Sequence, residues 1–226
     1  MAVLFAITLL LSAGLLFLVQ PMVAKMVLPM LGGTPMVWIT CMVFFQAALL
    51  AGYSYAHALT SCLTRKGQAL THAGLMAVAV LVLPFAIGGY TPPSPARTPV
   101  LWLLMLLVTT VGLPFFAVST NAPILQRWFA TSGHRLAKDF LYSISNFGSV
   151  LGLLSYLVLV EPHLRLAHQS RLWAAGYAVL VLLVSSCAFT VWKSSPDIVR
   201  AEVQSEPNRR RHGSRAAIVS APAPSR

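Results

Sequence analysis

Charged residues are scarce in this chain: they make up 9% of its 226 residues, and five residues are acidic. An ordinary soluble domain has about 25% charged residues, so this composition excludes that class of protein. Hydrophobic residues reach 57%, with a mean hydropathy of +0.75. Because they occupy most of the length, we expect several membrane-spanning helices rather than a soluble domain on one anchor.

Sequence motifs of common active sites are also absent. The chain has no glycine-rich phosphate loop, no HExxH, no GxSxG and no pair of carboxylates within an apolar run. Cys41, Cys62 and Cys187 lack CxxC or metal-ligand spacing, and we interpret them as small packing residues. We therefore expect no catalytic residue, no metal site and no cofactor.

Apolar runs predict an all-α membrane domain of six spans within residues 1–193. A bilayer core of ~30 Å requires about 20 apolar residues at ~1.5 Å per residue. Breaks rich in glycine, proline and basic residues separate the runs. The predicted spans are residues 2–24, 36–61, 68–89, 99–120, 140–160 and 172–192.

The fourth apolar run is too long for one crossing, because a single helix over residues 99–130 would reach ~48 Å. Pro114 is expected to kink it, and Pro123, which lacks an N–H, favours a new helix start near Asn121. We predict a short interfacial helix at 122–130 with Asn121 as its N-cap.

The distribution of basic residues predicts the orientation. With six spans, twelve of the sixteen Lys and Arg residues fall on the side of the N-terminus and four on the other. The positive-inside rule then places both termini in the cytoplasm. This distribution fits membrane topology better than nucleic-acid binding.

Residues 194–226 differ from the rest of the chain, with little apolar periodicity and many Ser, Pro and Arg residues. We expect a disordered basic tail. Its "RRRHGSR" cluster either contacts anionic lipid of the bilayer or remains solvated.

The second span contains unusual polar side chains in the segment "FFQAALLAGYSYAH". Gln46, Tyr53 and His57 fall within about 40° of one another at ~100° per residue, so they form one stripe. The stripe either hydrogen-bonds to neighbouring helices or lines a polar cavity. The opposite face has small residues that permit close approach of another helix, namely Ala48, Gly52 and Ala56.

The fifth span shows a similar division between packing and polar residues. Gly148 and Gly152 form a pattern typical of helix packing. Asn146 is expected to point inward, because an amide that faces lipid is costly. In the first span, Pro21 frees the carbonyl near Phe17, which gives a polar spot that Gln20 is placed to complete.

Several long segments carry a family resemblance. They are "LLFLVQPMVAKMVLPMLGGTPMVWITCMVFFQAALLAGYSYAH" at 15–57, "NAPILQRWFATSGH", "DFLYSISNFGSVLGLLSYLVLVEP" and "QSRLWAAGY". Together they resemble the membrane region of bacterial spermidine synthase-like membrane proteins, over residues 1 to about 193. These proteins are often described as fusions of a major-facilitator-like bundle to a spermidine-synthase-type domain.

The resemblance implies a location in the bacterial inner membrane and a longer parent architecture. Family members have further spans and a soluble Rossmann-like domain that would bind an aminopropyl or methyl donor. This chain has no glycine-rich strand-to-helix turn followed by an acidic residue, so no catalytic residue carries over. We expect a truncated or frameshifted reading frame, with a separately encoded soluble synthase-like domain as a partner.

Two functions are compatible with these patterns. The first is binding or transport of a small polar or cationic solute, such as a polyamine, through a cavity. The second is a structural membrane anchor or assembly module of an aminopropyl- or methyltransferase-like enzyme, with no activity of its own. The candidate cavity residues are Gln20, Gln46, Tyr53, His57, Asn121 and Asn146.

Overall fold

The structure is a computed structural model that describes the backbone of residues 1–87, 99–130 and 137–219, and side chains up to residue 193 except 137 and 138. Within these ranges the chain is all-α and contains no β-strand, as predicted. π-helical turns join α4 to α5 and α6 to α7. The helices are α1 (Ala2–Leu31), α2 (Pro35–Cys62), α3 (Arg65–Val80), α4 (Pro99–Leu107), α5 (Leu113–Ala130), α6 (Ala137–Ser155), α7 (Glu161–His163) and α8 (Leu166–Val219).

Five helical stretches in the described ranges are long and apolar enough to cross a membrane. Their length and composition agree with the prediction of a membrane protein. They are Ala2–Leu31, Pro35–Cys62, Pro99–Ala130, Asp139–His163 and Leu166–Lys193.

The third predicted span, residues 68–89, is shorter in the structure. α3 ends at Val80 after 16 residues, which is about 24 Å of helix and less than a bilayer core of ~30 Å. Pro84 favours this ending, because proline lacks an N–H and disfavours helical backbone in the residue before it. Residues 88 and 89 of the predicted span lie outside the described ranges.

α1 is the central helix and contacts α2, α5, α6 and α8. Its closest approach is to α6, where a Cβ atom on Gly148 would lie 2.6 Å from the Leu10 carbonyl oxygen. A Cβ atom on Gly152 would overlap with the Gly14 backbone. Glycine at these positions therefore permits the close backbone contact that is common between membrane helices. Because the two pairs advance together along both helices, α1 and α6 are parallel.

Other contacts give the directions of the remaining long helices. α5 is antiparallel to α1, since Phe129 packs on Phe5 while Asn121 bonds to Ser12. By the same comparison, α3 is antiparallel to both α5 and α8, and α2 is parallel to α5. Thus α1, α3 and α6 run one way, whereas α2, α5 and α8 run the other.

The fourth apolar run differs from the prediction at Asn121. One helical stretch covers Pro99–Ala130, with a π-helical turn at Val108–Gly112. α5 continues through Pro123, so Asn121 is not an N-cap and 122–130 is not a separate interfacial helix. Tertiary contacts explain the continuity, because Asn121 is fully buried and hydrogen-bonded to other helices.

In the structure the backbone of the segment after residue 193 continues α8 to Val219, whereas the sequence predicts a disordered basic tail over residues 194–226. Alanine, arginine, glutamate and glutamine in this segment have favourable helix propensities. A lack of apolar periodicity therefore does not by itself exclude a helix. The side chains of the "RRRHGSR" cluster and residues 220–226 lie outside the described residues.

Replacing Gly152 by alanine should destabilise the fold by about 1–3 kcal/mol, the usual cost of overpacking. The new Cβ would overlap with the Gly14 backbone. Gly74→Ala is the matched control, because a Cβ there would contact nothing within 4 Å. Thermal unfolding of the purified protein in detergent measures both variants. Equal melting temperatures for the two variants would contradict the close α1–α6 contact.

Candidate functional site

A hydrogen-bonded network joins three helices inside the bundle. Asn121 Oδ1 of α5 accepts a hydrogen bond from His72 Nε2 of α3 at 2.8 Å. Asn121 Nδ2 donates to Ser12 Oγ of α1 at 3.1 Å. Ser12 Oγ in turn donates to the Val118 carbonyl oxygen at 3.4 Å. One amide therefore connects α1, α3 and α5 through both of its polar atoms.

Burial isolates this network from solvent. Because an amide oxygen can only accept, His72 Nε2 must be the donor. Thr120 Oγ1 lies 3.5 Å from His72 Nδ1 and donates to the Ala117 carbonyl oxygen at 2.7 Å. Ser12, His72, Thr120 and Asn121 are each at most 2% exposed. Their polar atoms are therefore paired with one another and with backbone carbonyl oxygens of α5.

The network separates two apolar clusters of the core. Leu9 belongs to the cluster near the N-terminus of α1, Leu15 belongs to the other, and Ser12 lies between them. His72 occupies the same intermediate position on α3. Sliding one helix past another would leave buried donors and acceptors unpaired. The polar layer therefore fixes the relative depth of the helices.

Gln68 makes a second buried polar contact, at the junction of α2 and α3. Its Oε1 accepts from Trp128 Nε1 of α5 at 3.0 Å. Its Nε2 donates to the carbonyl oxygens of Leu63 at 2.8 Å and Thr60 at 3.4 Å. Gln68 thereby satisfies acceptors that the C-terminus of α2 leaves free, and joins α2, α3 and α5.

Gln169 repeats half of this arrangement at the start of α8. Its Nε2 donates to the carbonyl oxygens of Leu164 at 2.8 Å and Val160 at 3.4 Å. Its Oε1 is buried and forms no hydrogen bond with the described residues. Both glutamines therefore tie the start of a helix to the end of the preceding one.

The stripe predicted on α2 lies on the outside of the bundle. Gln46, Tyr53 and His57 share one face, and all three are exposed; for Tyr53 the exposed fraction is 47%. Helical arithmetic gives the residues that share a face, but not the direction in which that face points. Of the six candidate cavity residues, Asn121 is the one that belongs to the buried network.

Gln20 and Asn146 also lie away from that network. Asn146 is exposed on α6, contrary to the expectation that it points inward, because the glycine face of α6 packs on α1. Gln20 is half-buried and donates to the Leu16 carbonyl oxygen at 3.3 Å, next to Phe17. The described structure therefore does not gather the six candidates into one cavity.

The residues predicted for helix packing lie at helix contacts. A Cβ on Gly52 would overlap with the Ser119 side chain of α5, and Ala56 is buried in the cluster near the N-terminus of α1. Ala48 packs, partly buried, against the other cluster. Gly148 and Gly152 form the α1–α6 contact described above.

The sequence analysis did not identify three residues of these polar contacts, namely His72, Ser12 and Gln68. Gln68 and His72 are four residues apart, the spacing that identified the stripe on α2, and the same search of the third apolar run finds them. Ser12 gives no such signal, because a single serine in an apolar run commonly bonds to its own helix.

Comparisons with protein-family models, curated proteins and solved structures find no match to this chain. The described residues contain no group of three or more His, Cys, Asp or Glu side chains that could hold a metal ion. The family resemblance therefore remains a prediction.

Replacing Asn121 by leucine should cost about 1–3 kcal/mol of stability, because His72 and Ser12 would lose a buried partner. A double-mutant cycle with His72→Leu isolates the pair, with an expected coupling of about 0.6 to 1.7 kcal/mol for membrane helices. Unfolding in detergent measures each variant. Ser54→Ala, which removes a bond within α2 alone, is the control. Additive effects of the two leucine substitutions would contradict the network.

Proposed function

We propose that this chain is a six-pass module of the bacterial inner membrane, with both termini in the cytoplasm and α3 as the third crossing. The six long helices alternate in direction along the chain, which supports six passes. An even number of passes returns the chain to its starting side, so both termini lie on the same side. The resemblance to the membrane region of spermidine synthase-like proteins supports the choice of membrane.

The charged ends of the bundle support this orientation. The described basic side chains near the N-terminus of α1 are Arg65, Lys66, Arg127 and Lys193, whereas those at the opposite end are Lys25, Arg165 and Arg171. Lys25 is paired with Glu161, which reduces the net positive charge of that end. The positive-inside rule then favours a cytoplasmic N-terminus.

The proposed role of the module is anchoring and assembly. The observation that supports this role is the exposed stripe on α2. Gln46 lies 11 residues after Pro35, about 16 Å along the helix and therefore near the middle of a bilayer core of ~30 Å. No hydrogen bond joins the Gln46 or His57 side chain to another described residue. The Gln46 amide at that depth needs a covering helix.

A second copy of this chain is the proposed covering partner. An amide presents both donors and an acceptor, so Gln46 can bond to its own counterpart across a two-fold axis. The module itself performs no catalytic step in this proposal. A separately encoded soluble domain would supply any aminopropyl or methyl transfer, as the resemblance implies.

The same exposed stripe also favours a second candidate function. If two bundles faced each other with a gap between them, Gln46, Tyr53 and His57 would line a polar cleft rather than a dry contact. The tyrosine ring could contribute about 0.5–2 kcal/mol of cation–π attraction to a cationic solute such as a polyamine.

A triple variant with Gln46→Leu, Tyr53→Phe and His57→Leu tests the role of the stripe. We expect the melting temperature of the separated chain to be unchanged, because these side chains are exposed in the single chain. The mass of the particle in detergent, measured by light scattering, should fall from dimer to monomer. Ser54→Ala on the same helix is the control and should leave the dimer intact.

Uptake of a labelled polyamine into cells separates the two functions. The anchoring proposal expects no uptake above the empty vector for either the natural chain or the triple variant. Uptake by the natural chain that is lost in the variant, with dimer mass unchanged, would overturn anchoring in favour of transport.

A further inference from the structure

A cavity of about 620 Å³ lies at the end of the bundle that contains the Lys25–Glu161 ion pair. It is lined by the C-terminal part of α1, residues 84–87 and the start of α8. Its volume is within the range of ~300–1,000 Å³ that is typical of small-molecule sites. The lining is mainly apolar and includes Met26, Met30, Phe85, Ile87, Ser170 and Arg171.

The wall formed by Phe85 is held in place without a ligand. Ser170 Oγ of α8 donates a hydrogen bond to the Phe85 carbonyl oxygen at 2.6 Å. The Phe85 ring packs edge-on against Trp173, with ring centroids 5.5 Å apart. Both aromatic side chains are at most 3% exposed. The cavity is therefore preformed, so a ligand need not order this wall.

Charge at the rim of the cavity is positive. Arg171 lines the cavity, is exposed, and has no ion pair or hydrogen bond with a described residue. Glu161, the described acidic side chain at this end, is paired with Lys25 instead. The site thus combines an apolar interior with an available guanidinium group.

We propose that this cavity binds an anionic phospholipid, with an acyl chain against Met26, Met30 and Phe85 and its phosphate on Arg171. Methionine side chains adapt to a flexible chain, and the planar guanidinium matches phosphate oxygens through two parallel hydrogen bonds. The cavity lies at a helix end, where lipid headgroups meet water. Basic pockets between membrane helices bind lipid headgroups on the cytoplasmic side of membranes, and this cavity has the same chemistry at the opposite end in the proposed orientation.

Thermal stability of the delipidated full chain in detergent, titrated with lipids, tests the headgroup contact. Phosphatidylglycerol should raise the melting temperature saturably, and phosphatidylcholine with the same acyl chains should do so much less. Arg171→Gln should weaken the apparent affinity for phosphatidylglycerol about tenfold, as expected for loss of one charge-assisted contact. Arg165→Gln is the matched control, at the same end but outside the cavity lining.

A second pair of variants tests occupation of the cavity itself. Ala167→Phe places a ring in the cavity and should reduce phosphatidylglycerol binding, whereas Ala178→Phe on the exposed surface of α8 should not. Equal stabilisation by both lipids, equal effects of the two arginine variants, or undiminished binding by Ala167→Phe would overturn the proposal. Stabilisation by free palmitate at the affinity of phosphatidylglycerol would also overturn it, since a fatty acid would then be the ligand.

Discussion

The two hydrogen bonds of the Asn121 amide are the interaction on which the bundle depends. Within a membrane, helices gain little from apolar contact alone, since lipid tails are as apolar as leucine. A buried amide that needs His72 on one side and Ser12 on the other selects one arrangement of α1, α3 and α5. The apolar clusters above and below can then pack in only one register.

The need to pair buried polar groups also explains features at the helix ends. Gln68 and Gln169 each follow a short connection and donate to carbonyl oxygens of the helix just completed. The two junctions lie at opposite ends of the bundle, so each end has one side chain that fixes a helical hairpin. Polar residues thus fix the relative depth of the helices and the geometry of these two junctions, while glycine permits the short distance between α1 and α6.

The fold class was predictable because apolar length alone indicates a membrane helix. The polar stripe and the small-residue faces were also predictable, since helical periodicity relates residues of one segment. Which face points inward was not, because that depends on contacts between distant segments: Gln46 and Asn146 are exposed, whereas Asn121 is buried. The helix break predicted at Pro123 is absent for the same reason, because the contacts of Asn121 with α1 and α3 outweigh the local preference of proline for a break.

The parallel contact between α1 and α6 has a consequence for biogenesis. Parallel helices cannot be neighbours in a hairpin, and here α2 to α5 separate the two partners along the chain. The ribosome completes α1 more than a hundred residues before Gly148 and Gly152 emerge. During that interval the surface of α1 around Leu10 and Gly14 lacks its native partner on α6. The α1–α6 contact can therefore form only after α6 has been synthesised, later than the contacts of α1 with α2 and α5 can form.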